Sequence, residues 1–230
     1  MLPWRSIPNP YHVLVSEIML QQTQVETVLP YYDRFLAAWP NVEALANAEE
    51  QHVLRLWEGL GYYRRALNLH HSAKMIVDQY DGEVPRDVRE LLKLPGVGAY
   101  TAAAIASIAY GESVAAMDGN IRRVYARLYV VGDYLGEKET EAKLHALAEK
   151  TLSRERPGDF NQALMDLGAM ICLPRNPLCA DCPLIKSCLA FKQGLANELP
   201  RRKAKAKVPH WVVTAAVIQE GKKVLIAQRA

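Results

Sequence analysis

Three groups of residues in this chain have the types and spacing to do chemistry. The first is a run of cysteines, Cys172-LPRNPL-Cys179-AD-Cys182-PLIKS-Cys188, which confines all four thiols of the chain to 17 residues. In a sequence without a secretion signal, disulfides are disfavoured and a metal centre held by four thiolates is the better reading. Structural zinc sites usually carry two C-x2-C knuckles, and only one is present, so the C-x6-C-x2-C-x5-C spacing favours a 4Fe-4S cluster over zinc. The second group is a pair of carboxylates. Glu17 sits amid Val13, Leu14, Val15, Ile18, Met19 and Leu20; a carboxyl desolvated there would keep its proton and suit a general acid, while a surface glutamate is the plain alternative. Asp118, in AAMDGN, precedes a helix and reads as its N-cap, where backbone N–H groups favour the anion. Structural capping alone is the competing role. One protonated and one ionised carboxyl form the pattern of glycosidic-bond cleavage, although nothing in the sequence shows that the two meet. The third group is Leu94-Pro95-Gly96-Val97-Gly98. Between two helical stretches it reads either as a helix–hairpin–helix turn whose backbone N–H groups and following helix dipole suit a DNA phosphate, or as an ordinary connection.

Helices must position these groups. Apolar residues recur at helical spacing over residues 11–24, and the same reading gives helices over 42–57, 63–80, 86–94, 100–110, 120–131, 139–152 and 160–171. Pro10 suits the first turn of its helix, and Pro30 fits early in another that ends near Trp39-Pro40. The pattern changes after Pro200. Residues 201–207, RRKAKAK, read as a solvated basic linker, and residues 211–219 and 223–228 alternate like the two strands of a hairpin around Glu220-Gly221. Two strands are marginal alone, so the sequence is expected to stop inside a second domain.

The 230 residues suffice for one large domain or two lobes; 50% are hydrophobic and 23% charged, which excludes a disordered or collagen-like chain. No apolar run approaches a membrane span, and a soluble, cytoplasmic protein is the expectation. The net charge of +3 divides unevenly: residues 1–200 carry 20 Lys and Arg against 24 Asp and Glu, residues 201–230 carry 8 against one. The main body therefore has no general basic footprint, and nucleic-acid binding must rest on local motifs.

Taken together, the hairpin, the aspartate of DGN and the cysteine spacing resemble the helix–hairpin–helix DNA glycosylases that carry an iron–sulfur cluster, and within them the MutY-type adenine DNA glycosylases. The carrying stretches are LPWR (2–5), VSEIMLQQTQ (15–24), WEGLGYY (57–63), LPGVGAY (94–100), MDGN (117–120) and NQALMDLG (161–168), in order along nearly the whole chain. The resemblance implies an all-α fold of two helical lobes: a six-helix module over residues 5–112 bearing the hairpin, and a cluster module over 113–199 completed by the first few residues. A linker at 200–209 and the truncated start of a Nudix-like domain at 210–230, the reader of 8-oxoguanine in the family, would follow. It implies that Glu17 protonates adenine at N7 and that Asp118 stabilises the sugar cation, with Tyr100 and Asn120 around it. Trp4, Arg5 and Gln162 would line the adenine pocket, Leu20 would take part in substrate or DNA binding, and Gln22, Leu60 and Tyr62 would wedge into or stack on the DNA. For Trp4, Leu60 and Tyr62, core packing is the alternative. The partner would be duplex DNA with an adenine opposite 8-oxoguanine or guanine, and the enzyme a monomer.

Relatives that also cleave the strand place a lysine six residues after the hairpin leucine. Here that position is Tyr100, and a phenol cannot form an imine; Arg122, where some members carry lysine, stays protonated. A monofunctional glycosylase is expected. A bifunctional glycosylase/lyase and a non-catalytic DNA-binding module are the other readings, and a chain lacking its reader domain is expected to prefer 8-oxoguanine less strongly.

Overall fold

The computed structural model describes residues 2–6, 9–201, 203, 212 and 217–225. The chain is helical throughout its main body: α1 (Pro3–Ser6), α2 (Pro10–Leu20), α3 (Val25–Ala38), α4 (Val42–Ala46), α5 (Glu50–Trp57), α6 (Arg64–Tyr80), α7 (Val88–Leu91), α8 (Ala99–Tyr110), α9 (Gly119–Leu128), α10 (Lys138–Thr151), α11 (Pro157–Asp166) and, after the cysteine loop, α12 (Leu189–Lys192). No described helix is long and apolar enough to cross a membrane.

The central helix is α2. Asn9 caps it, its side chain accepting from the N–H groups of Tyr11 and His12, and Pro10 takes the first position, where no N–H is needed. Tyr11 and every residue from Val13 to Met19 are buried, so the helix is apolar all round and lies inside its lobe. It packs on α3, α6 and α8. The alanine-rich α8 lets its neighbours come close: a Cβ on Gly158 of α11 would stand 2.6 Å from the Ser107 carbonyl oxygen.

Two hydrophobic clusters result. One gathers buried side chains from Trp4 to Ala106, the other from Ala115 to Leu167. Ala103, Ala104 and Ala116 form a small patch that joins α8 to the segment leading into Asp118. The site lies where the two clusters face one another.

Several boundaries differ from those the sequence suggests. The single helix expected over 42–57 is two, because Asn41 caps the start of α4 by accepting from Ala44 N–H (2.8 Å) and Asn47 closes its end by donating to the Glu43 carbonyl (2.9 Å). The helix expected over 86–94 shrinks to α7, whose cap is Asp87. Pro30 is the sixth residue of α3, past the first turn. The stretch expected at 160–171 starts three residues earlier and ends in a π turn, Leu167–Ile171. After the main body, Gln219–Glu220 and Lys223–Val224 pair as antiparallel two-residue strands, β1 and β2, around Gly221. The rest of the expected hairpin, residues 211, 213–216 and 226–228, and most of the linker lie outside the described residues.

Candidate active site

A cavity of about 230 Å³ opens between the two clusters, and residues of α1, α2, α3, α8, α9, α11 and the π turn converge on it. Glu17 enters from the middle of α2 and is 7% exposed. Asp118 stands opposite as the N-cap of α9. Its Oδ1 accepts from the Ile121 N–H (2.7 Å) and its Oδ2 from Asn120 Nδ2 (3.0 Å). From α8 comes Tyr100, whose hydroxyl lies beside Glu17 and donates to Met165 Sδ at 3.5 Å. Trp4 and Arg5 of α1 and Gln162 of α11 complete the wall, with Leu20 at the end of α2. A wider cleft shares Arg5, Asn120, Gln162 and Asp166 and leads to solvent. Of the residues singled out for the catalytic and base-binding roles, all seven and Leu20 line this one cavity.

The electrostatics depart from expectation in one respect. Burial pushes the Glu17 carboxyl up to about 7, against the opposing pull of the Tyr100 hydroxyl; the Asp118 charge adds to the rise and Arg5 counters it. Asp118, expected to be held low by its cap, is also raised: burial outweighs the bonds from Ile121 and Asn120 and the charge of Arg123. The two carboxyls therefore share the direction of their shifts. What separates them is that Asp118 keeps three stabilisers of its anion and Glu17 has a phenol and a shared guanidinium. Burial also raises Tyr100, which stays a neutral phenol.

Sequence reasoning missed two residues here. Asp166 grips Arg5 in a bidentate ion pair, Nη1 to Oδ2 at 2.6 Å and Nη2 to Oδ1 at 2.8 Å. Arg123 donates to Asn120 Oδ1, to the Gly168 carbonyl and to the Cys172 carbonyl, each at 2.7 Å, and so ties the shell of Asp118 to the cysteine loop. The approach demands Gly168, where a Cβ would sit 2.5 Å from Asn120 Cβ. Pairings across 161 and 49 residues leave no local trace in a single sequence.

A second surface is formed by loops around α6. Gln22 and Tyr62 both have positive φ, 58° and 49°, and both are exposed, Tyr62 at 62%. In the hairpin only Gly96 needs the left-handed region (φ 79°); Gly98 is extended and caps α8 without a side chain, leaving the first N–H groups of that helix uncovered. Leu60 is 5% exposed and Val97 6%, and both side chains pack inside the first hydrophobic cluster; for Leu60 this is the core-packing alternative, and the hairpin reading rests on backbone N–H groups and not on the Val97 side chain.

Arg65 holds these loops together. Its Nη1 donates to the carbonyls of Met19 and Gln21, both at 2.6 Å, and its Nη2 to Thr23 Oγ1 (3.0 Å) and the Gly61 carbonyl (3.2 Å). The guanidinium also lies against the Tyr62 ring, 5.4 Å from its centroid. Arg65→Met should strand these acceptors, lowering stability by about 3 kcal/mol. Thermal unfolding at fixed pH measures this, and a loss below about 0.5 kcal/mol, the scale of an ordinary surface substitution, would show that the loops hold without it.

The four cysteines, none in a disulfide, line one cavity with Ile171, Pro177, Ile185 and Phe191. Arg127, 2% exposed, donates to Cys172 Sγ at 3.2 Å, and to the carbonyls of Leu173 (2.6 Å) and Leu199 (2.8 Å). A cation set on a ligand-type sulfur fits an anionic thiolate centre.

The fold and this site place the chain in a family. The model of the HhH-GPD superfamily base excision DNA repair proteins matches residues 15–150, and the chain belongs to it. Among curated relatives, the adenine DNA glycosylase of Buchnera aphidicola subsp. Schizaphis graminum is 41% identical over 204 residues, covering 89% of this chain and 59% of its own length. That of Homo sapiens is 44% identical over 207 residues, 86% of this chain and 38% of its own. The chain thus spans about two fifths to three fifths of these relatives. Among solved structures, a thermostable thymine-DNA glycosylase superposes with a TM-score of 0.77 at 34% identity over 84% of this chain and 89% of its own. A trapped endonuclease III–DNA covalent intermediate gives 0.70 at 26%, over 81% and 86%.

Proposed function

We infer that the chain is a monofunctional DNA glycosylase that removes adenine mispaired with 8-oxoguanine or guanine. The observation that carries this reading is the meeting, in one cavity, of a buried carboxyl that titrates near neutrality and a capped carboxylate, in a chain whose curated relatives are adenine DNA glycosylases. The base must leave the duplex stack to reach such a cavity. Arg5, Gln162 and Trp4 bind and orient it. Glu17 delivers its proton to adenine N7 as the bond from the base to the sugar C1′ breaks, and Asp118 faces the cation that develops on the sugar. Water then adds to C1′, returning its proton to Glu17 and leaving an abasic site. Asn120 holds Asp118 and Tyr100 shapes the Glu17 side. With a phenol at Tyr100 in place of an amine, no imine forms and the strand stays intact.

The uncovered start of α8, with Pro95, Gly96 and Gly98, is suited to a backbone phosphate, and Gln22 and Tyr62 to the disturbed stack. Cys172, Cys179, Cys182 and Cys188 are assigned to a 4Fe-4S cluster, which when bound supplies a covalent cross-brace to the loop. Residues 5–112 and 113–199 act as two modules of one monomer, with the hairpin at 217–225 as the start of a Nudix-like domain.

The test is an end-labelled duplex with adenine opposite 8-oxoguanine, opposite guanine, and a thymine–guanine control, each with and without alkali. Strand breakage at adenine only after alkali is the expected result. Breakage without alkali would make the chain a lyase, preference for thymine would align it with its thymine-DNA glycosylase neighbour, and no breakage would leave a DNA-binding module.

A further inference from the structure

The Arg5–Asp166 pair is the most deliberate contact in the cavity that no step of the mechanism uses. The two residues come from the two ends of the fold, α1 and α11, and their groups dock fork to fork. The side chains are 26% and 38% exposed, so water screens the pair only in part. Two of the five guanidinium N–H donors go to Asp166, leaving three for a base. Other charged and titratable groups around Glu17 are few: Tyr100 from α8, Asp118 at the start of α9, and Arg5 itself. On the remaining sides, α6 sends Arg65 to the carbonyls at the far end of α2, and α3 brings Glu26 to the outer cleft.

We propose that Asp166 is a positioning residue, which fixes Arg5 at the edge of the base pocket and offsets part of its charge beside Glu17. The proposal rests on the glycosylase reading of the site and adds to it a residue that lines the cavity and acts through Arg5. An unpaired guanidinium in this cavity would do two kinds of damage. Its charge would favour the Glu17 anion, removing the proton that the base needs. Free to swing, it would also seek Asp118, neutralising the carboxylate meant for the sugar cation. A carboxylate at position 166 prevents both, and the two-point grip keeps the guanidinium plane in one orientation.

The measurement is the titration of Glu17 in protein carrying ¹³C-labelled glutamate side chains, with the signal assigned by its loss in Glu17→Gln. No DNA is present, so the result does not depend on which base is excised. In Asp166→Asn the Glu17 midpoint should fall by about half a unit to one unit, and above the midpoint adenine excision should drop about three- to tenfold. Asp166→Glu should keep the wild-type midpoint. In Arg5→Gln the midpoint should rise, which tests the same link should Asp166→Asn fail to fold. The double variant Arg5→Gln/Asp166→Asn should return the midpoint toward wild type, a reversal that damage to the fold would not produce. An unchanged midpoint in both single variants overturns the proposal. Wild-type protein inactive on adenine would overturn the glycosylase reading instead, while the titration still decides the role of Asp166.

Discussion

Glu17→Gln is expected to bind a duplex with adenine opposite 8-oxoguanine as tightly as the wild type, while single-turnover excision falls by at least about 10²–10⁴-fold, the range of a general acid. Glutamine keeps the size and hydrogen-bonding reach of the side chain but has no proton to give. The wild-type rate should also fall on the alkaline side as the pH passes about 7, where Glu17 loses its proton. The same group affects stability. Its folded pKa of about 7 lies above the ordinary 4.5, so the folded state holds a proton that the unfolded chain has lost between those values. Stability from this group is complete below pH 4.5 and disappears as the pH rises through 7, a difference of about 3 kcal/mol. Glu17→Gln removes that dependence and should be the more stable protein at pH 8. Near-normal excision would take Glu17 out of the mechanism, and an equal fall of stability with pH in both proteins would show that its carboxyl is not raised on folding.

The second large effect belongs to the cysteine loop. Purified protein should be brown, with about four irons per chain, and Cys182→Ser should lose colour and iron together. The loop has little else to hold it: Cys179–Asp181 and Ile185–Ser187 are single 3-10 turns with no buried residue, and α12 buries only Ala190. Its ties run through Arg127 and Arg123 to α9, so loosening it should broaden thermal unfolding and disturb the Asn120 contact. Iron analysis, the visible spectrum and calorimetry report these changes. A colourless protein with one zinc per chain would replace the assignment.

The part of this site that a sequence can show is the part written in neighbouring residues. Asp118 caps a helix three residues from the N–H it accepts from, Glu17 sits in an apolar run, and the cysteines are spaced within one loop; each was visible as pattern. Helix positions followed from period and punctuation for the same reason. The burial that overrides the cap at Asp118 is a property of packing between α9, α8 and α11, which no window along the chain contains. Asp166 and Arg123 act across the fold. Leu60 and Val97 stand in motifs that suggest contact with DNA, yet their side chains complete the core while Gly59, Gly96 and Gly98 beside them are exposed. The resemblance supplied the roles, and the packing decided which of those residues face the cavity.

One helix face also fixes how the outer loops relate to each other. Arg65, Asn68 and Ser72 follow one another at three and four residues along α6. Arg65 holds the loop of Gln22 and that of Tyr62, Asn68 backs Gly96, and Ser72 donates to the Pro95 carbonyl at 2.8 Å. The three loops behave as teeth cut on one bar. A single residue inserted between Arg65 and Ser72 would rotate one tooth by about 100° against the others, and no change within the loops would restore their alignment. The spacing that this surface would offer a double helix under the proposed function is thus stored in eight residues that need not touch it.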